Sequence, residues 1–102
     1  MTIAAVTAAE LLFGVEMADS RHRARRRTFV EGVLAIVPVE GYDLESARAH
    51  ATLLAHSRRS GRPRGAHDMI IAATALARRR VVVTADPVGF ADLPGVSVRS
   101  LV

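Results

Sequence analysis

The sequence contains no cysteine, which excludes disulfide staples and thiolate zinc sites and agrees with a reducing compartment. It contains no lysine either, so all 14 basic residues are arginine. Together with the abundance of alanine and valine, that usage points to a GC-rich bacterial coding sequence. No apolar run approaches the ~20 residues of a membrane span. The opening MTIAAVTAAELLFGV is apolar, but Glu10 and Glu16 interrupt it, and it lacks the basic leader and cleavage pattern of a secretory signal. A soluble, cytoplasmic protein with no membrane partner is expected. No helix-turn-helix or zinc pattern is found, which leaves a DNA-binding module little support. Repeats and low-complexity tracts are absent as well.

What is present suits one compact domain. The chain has 102 residues, half of them apolar, enough for a single core and too few for two, so residues 1–102 are read as one domain. The net charge of +4 permits an anionic partner such as nucleic acid, although ordinary surfaces carry a small excess of this kind.

Residues Thr2 to Val6 form a short β-prone run. Thr7 and Glu10 then have the spacing of a helix capping box, which predicts a helix from Ala8 to about Ala18. A second helix is predicted from Ser20 to Ala35, with Phe29, Val30, Val33 and Leu34 as its apolar stripe. Ile36 to Val39 reads as a brief strand, and Pro38 puts it at an edge because proline has no N–H to donate. Asp43 is a good N-cap for a helix over Leu44 to Arg59, and Gly61 can end that helix. After the basic loop Ser60 to Gly65, a helix from about Ala66 to Arg79 is apolar almost all round, as a central helix should be. The β-branched run Val81 to Thr84 reads as an interior parallel strand, and Val96 to Leu101 as a last strand after the turn at Pro94 and Gly95. Strands separated by helical crossovers make this an α/β chain with a largely parallel sheet covered on both faces.

In open α/β sheets ligands bind beyond the carboxyl ends of the strands. Glu10 follows the first strand, Asp68 opens the apolar helix, and Asp86 follows the strand ending at Thr84, so all three acids are expected at one edge. Clustered carboxylates repel unless cations sit between them, and oxygen ligands of this kind suit Mg²⁺ or Mn²⁺. Each acid also has a plain reading. Glu10 can complete the capping box, Asp68 can oppose a helix dipole, and Asp86 before Pro87 can be a turn residue. Arg62 and Arg64, a few residues before Asp68, can contact RNA phosphates or simply occupy a solvated loop. Arg78, Arg79 and Arg80 suit a helix C-terminus. The four histidines, at 22, 50, 56 and 67, lack metal-ligand spacing and read as surface or packing residues.

Three segments together resemble the PIN-domain ribonucleases, specifically the VapC toxins of bacterial toxin-antitoxin pairs: VTAAELLFGV, GAHDMIIAATALA and VVVTADPVGFADLPGVSV. The resemblance covers nearly the whole chain and implies a PIN-like three-layer α/β/α sandwich. Carried over residue by residue, Glu10, Asp68 and Asp86 match three of the family's four metal-binding and catalytic acids, and Thr84 matches an auxiliary hydroxyl position. The activity implied is Mg²⁺- or Mn²⁺-dependent cleavage of RNA phosphodiester bonds. The partners implied are an RNA substrate, a cognate VapB-type antitoxin and a second copy of the chain in a homodimer. Arg21 to Arg27 are then either a solvated helix face or part of a groove for the antitoxin's acidic segment. Family members begin with a strand bearing the first acid, whereas this sequence starts at the pattern's second strand, so it reads as truncated at the N-terminus. On that reading the chain alone is expected to hydrolyse RNA little or not at all, and the alternative is a truncated toxin that only dimerises or binds an antitoxin.

Overall fold

The structure, a computed structural model, describes residues 1–101. Contacts divide the chain into two compact units, Met1–Gly41 and a second beginning at Tyr42. The first runs β1 (Ile3–Ala4), α1 (Ala5–Met17), α2 (Arg23–Ile36) and β2 (Val39–Glu40). The second runs α3 (Leu44–Ser60), α4 (Ala66–Ala77), β3 (Val81–Thr84), a 3-10 turn at Pro87–Phe90, and β4 (Ser97–Ser100).

In the first unit β1 and β2 pair in parallel, Ile3 opposite Val39 and Ala4 opposite Glu40, with α1 and α2 packed together in the crossover between them. Several boundaries differ from expectation, among them the start of α2, which is Arg23 rather than Ser20. The first helix begins at Ala5, three residues early, because Ala5, Ala8 and Ala9 favour helix strongly enough to take Val6 and Thr7 with them. Thr7 and Glu10 therefore lie inside the helix, and the residue at its N-cap, Ala4, makes no side-chain capping bond, so there is no capping box. At the other end of the unit, α2 continues through Ile36, and Val37 still donates to the Val33 carbonyl at 2.8 Å. Pro38 stops it, because the residue before a proline is driven to extended backbone and proline cannot extend the ladder. Val37 is extended (φ −95°, ψ 116°), and the strand starts only at Val39. The Pro38 carbonyl is still used, accepting from the Ile3 N–H at 3.0 Å.

In the second unit the caps of α3 are as expected. The Asp43 carboxylate accepts the Ser46 N–H at 3.0 Å and the Ser46 hydroxyl at 3.1 Å, and Gly61 ends the helix with φ +67°, a left-handed conformation that suits glycine. Those bonds from Ser46, joined by the nearby Arg78 guanidinium, hold the Asp43 carboxyl below its ordinary pKa. Arg78 pairs with Asp43 at 3.1 Å, tying the end of α4 to the start of α3. Helix α4 stops at Ala77, two residues before the predicted end, since Arg79 has φ +55°, outside the helical region.

Helix α4 carries Met69, Ala72, Ala73 and Ala75 into a core completed by Leu53, Val82, Phe90 and Leu93. Small residues on α4 let α3 approach closely, and Leu53 is fully enclosed (0% exposed). Strand β3 pairs in parallel with β4, Val81 opposite Ser97 through Thr84 opposite Ser100. Among the described residues it has no other strand partner, so it is not the doubly flanked interior strand that its β-branched run suggested. It buries Val82 and leaves Val81 and Val83 about half exposed, the alternation of a strand covered on one face. The four strands thus pair as two parallel pairs, one within each unit.

Candidate metal centre

Two of the three predicted acids are brought together in the second unit. Asp68 lies in the first turn of α4, where the helix dipole favours an anion. Gly65 precedes the helix in extended backbone (φ −60°, ψ 142°), and the half-buried Asp68 side chain lies against it: a Cβ built at Gly65 would stand 3.5 Å from Asp68 Oδ2. Asp86 follows β3 and is oriented by Thr84, whose hydroxyl accepts the Asp86 N–H at 3.0 Å. Thr84 is anchored in its turn, since its carbonyl accepts the Leu101 N–H at 3.0 Å.

The two carboxylates meet around Gly89. A Cβ placed there would lie 3.3 Å from Asp86 Oδ2 and 3.6 Å from Asp68 Oδ2. Gly89 does not have a positive φ, so backbone geometry does not demand glycine at this point. What the missing side chain leaves is a small open space lined by two carboxylate oxygens. Hard oxygen donors facing such a cradle fit a divalent cation of the Mg²⁺ or Mn²⁺ type.

The other predicted residues are placed as follows. Glu10 belongs to the first unit, exposed on α1. Among the described residues no group of three His, Asp or Glu side chains is placed to hold a metal ion; the pair Asp68 and Asp86 is what the second unit assembles. Arg62 forms an ion pair with Asp92, and its carbonyl accepts the Ser57 hydroxyl at 2.6 Å. Arg64 donates to the Val88 and Ala91 carbonyls at 3.0 and 2.5 Å. Both arginines thus hold the segment after Asp86. Of the histidines, His22 bonds Asp19 at 2.9 Å and His50 bonds the Tyr42 hydroxyl at 2.8 Å, consistent with surface roles.

Gly89 and the intramolecular role of Arg64, a residue expected only as an RNA contact or a solvated loop residue, are not evident from the sequence. Gly89 stands three residues after Asp86 in a turn-forming stretch, where a glycine attracts no notice; the signal was its spacing from the acid. For Arg64 no local signal existed, because its partners lie 24 and 27 residues away.

Residues 1–96 match the family model described as PIN domain. The chain is 34% identical over 98 residues to the tRNA(fMet)-specific endonuclease VapC of Salmonella typhimurium, covering 96% of this chain and 73% of that protein. It is 35% identical over 91 residues to VapC ribonuclease Y4jK of Sinorhizobium fredii, covering 82% of this chain but only 63% of that one. Among solved structures, it superposes on a chain of the DNA-bound VapBC of Salmonella typhimurium with a TM-score of 0.91 and 32% identity, over 98% of this chain and 74% of that one.

Proposed function

The chain belongs to the PIN-domain family and, within it, to the VapC ribonucleases, and from that premise we propose that it is a metal-dependent endoribonuclease toxin of a VapBC-type module. PIN-domain ribonucleases are generally metal-dependent. The observation that carries the reading for this chain is the open space at Gly89 between the Asp68 and Asp86 carboxylates. Bound there, Mg²⁺ or Mn²⁺ would supply activation of water and charge stabilisation at an RNA phosphodiester. Asp68 and Asp86 would hold the ion, and Thr84 would fix the backbone from which Asp86 projects. Glu10 enters the proposal on the family resemblance alone, as a further acid of the same reaction. Arg62 and Arg64 keep N–H donors beyond those used within the chain, since a guanidinium has five, and these would face RNA phosphates.

A VapB-type antitoxin and a second copy of the chain are the proposed protein partners. In the first unit Phe13 and Met17 on α1, one helical turn apart, and Phe29 and Ile36 on α2 are exposed, and apolar side chains left open in this way suit a protein partner. No helix in the described residues is long and apolar enough to cross a membrane; a cytoplasmic location is proposed from the likeness to VapBC toxin-antitoxin proteins. The single family match running from residue 1 to 96 supports treating both compact units as one functional domain.

The test is RNA cleavage by the full chain with Mg²⁺ or Mn²⁺, its loss on chelation, and its loss in Asp68→Asn. The exposed apolar residues of α1 and α2 favour a second reading, a protein that binds the antitoxin without cleaving RNA. Co-purification with the antitoxin encoded beside it, with no metal-dependent cleavage, would establish that one instead.

A further inference from the structure

Arg64 lies in the loop joining α3 to α4, four residues before Asp68. Its two terminal nitrogens reach the turn after Asp86, one donating to the Val88 carbonyl at 3.0 Å and the other to the Ala91 carbonyl at 2.5 Å. Those carbonyls bracket Gly89 and Phe90. Inside the turn the Gly89 N–H bonds the Asp86 carbonyl and the Ala91 N–H bonds the Val88 carbonyl, both at 3.2 Å. A single guanidinium therefore ties the segment leading to one acid to the turn that follows the other.

The turn needs such a tie. It is four residues of 3-10 helix, a geometry with poor hydrogen bonds that persists only in short pieces. Phe90 is buried in the core, which anchors the turn at one point, and the adjacent Gly89 is the residue that lies beside the carboxylates. The open space depends on where that turn sits, because a Cβ at Gly89 would lie 3.3 Å from Asp86 Oδ2 and 3.6 Å from Asp68 Oδ2. We propose that Arg64 is a positioning residue: by bridging the Val88 and Ala91 carbonyls, it holds Gly89 where the two carboxylates can share one divalent cation. The proposal rests on the metal-site reading of Asp68 and Asp86. Bridging needs two donors in a rigid fork, which arginine has and lysine, with a single ammonium, lacks.

The experiment measures Mn²⁺ affinity by titration, and Tm without metal, for the full chain and for Asp68→Asn, Arg64→Met, Arg64→Lys and Leu76→Ala. Arg64→Met is expected to weaken Mn²⁺ binding on the order of tenfold, as loss of a residue that orients metal ligands does. Arg64→Lys should fall short of the parent as well, although it keeps the charge. Leu76→Ala, which trims the edge of the core near Gly95, should lower Tm while leaving Mn²⁺ affinity within about twofold. Parent-like affinity in Arg64→Met or Arg64→Lys overturns the proposal while leaving the metal site standing. So does an equal loss of affinity in Leu76→Ala, which would reduce the effect to general destabilisation. If Arg64→Met fails to fold, Arg64→Lys decides the question alone. If the parent binds no Mn²⁺, or Asp68→Asn binds it equally well, the metal-site reading itself fails and the positioning role falls with it.

Discussion

The two compact units differ in how much apolar core each encloses. From Tyr42 on, α3, α4, β3 and the 3-10 turn enclose one continuous cluster from Leu53 to Leu93. In Met1–Gly41 only Ala8, Val15, Ala18 and Val30 are buried, while Phe29 is 67% and Ile36 81% exposed. The difference teaches where each unit's work lies. A region that seats large side chains against one another can hold two carboxylates at a set distance; both units also leave apolar side chains open, Phe13 and Phe29 in the first, Leu44 and Val88 in the second, and such side chains suit contact with a partner. The proposed chemistry is accordingly centred on Asp68 and Asp86 of the second unit, with Glu10 of the first entering on the family resemblance alone, and the exposed apolar side chains of α1 and α2 are the proposed partner surface.

The largest effect expected is on activity. Asp68→Asn keeps the shape of the side chain but removes its charge, and it should lower metal-dependent RNA cleavage at least ~100-fold, a loss of about 2.7 kcal/mol or more in the barrier, read in a single-turnover assay. Next comes stability. Leu53→Ala, at a fully enclosed position, should cost about 2–5 kcal/mol by urea denaturation. Phe29→Ser in the first unit should change stability by no more than about 0.5 kcal/mol, because the ring is already in water. Equal losses at the two positions would break the comparison.

Smaller effects sharpen it within the second unit. Gly61 and Gly95 both have positive φ, +67° and +77°, so alanine at either position should cost about 1–2 kcal/mol. Gly95→Ala should be the worse of the two, since its methyl would come within 3.0 Å of Leu76 Cδ1 whereas Gly61 faces open space. The smallest effect concerns pH. Bonds from Ser46, aided by Arg78, hold the Asp43 carboxyl below its ordinary pKa. Its contribution is therefore complete above about pH 4 and is lost as pH falls through the lowered value. Asp43→Ala should lower Tm slightly at neutral pH and have a flatter Tm profile than the parent in acid, measured by circular dichroism.

Much of the second unit could be read locally. Asp43 and Gly61 mark the ends of α3 because capping is a matter of one side chain and one backbone conformation, and α4 declares itself by being apolar on every side. The first unit was less legible. A run such as IAAVTAA satisfies both strand and helix preferences, and alanine tips it toward helix only when the balance is struck over the whole segment. Likewise Val81 to Thr84 records β-propensity but not how many neighbours the strand has.

By itself, then, the sequence determined the apolar character of α4, the caps of α3, and the presence of acids at positions 10, 68 and 86 in segments resembling a known nuclease family. These follow from short-range rules of charge, periodicity and backbone preference. Tertiary structure alone decided that the strands pair as two parallel pairs, that Gly89 leaves a space between Asp68 and Asp86, and that Arg64 spans to Val88 and Ala91. Each of those joins residues remote in sequence, and such contacts follow from how the whole core packs, which no local pattern encodes.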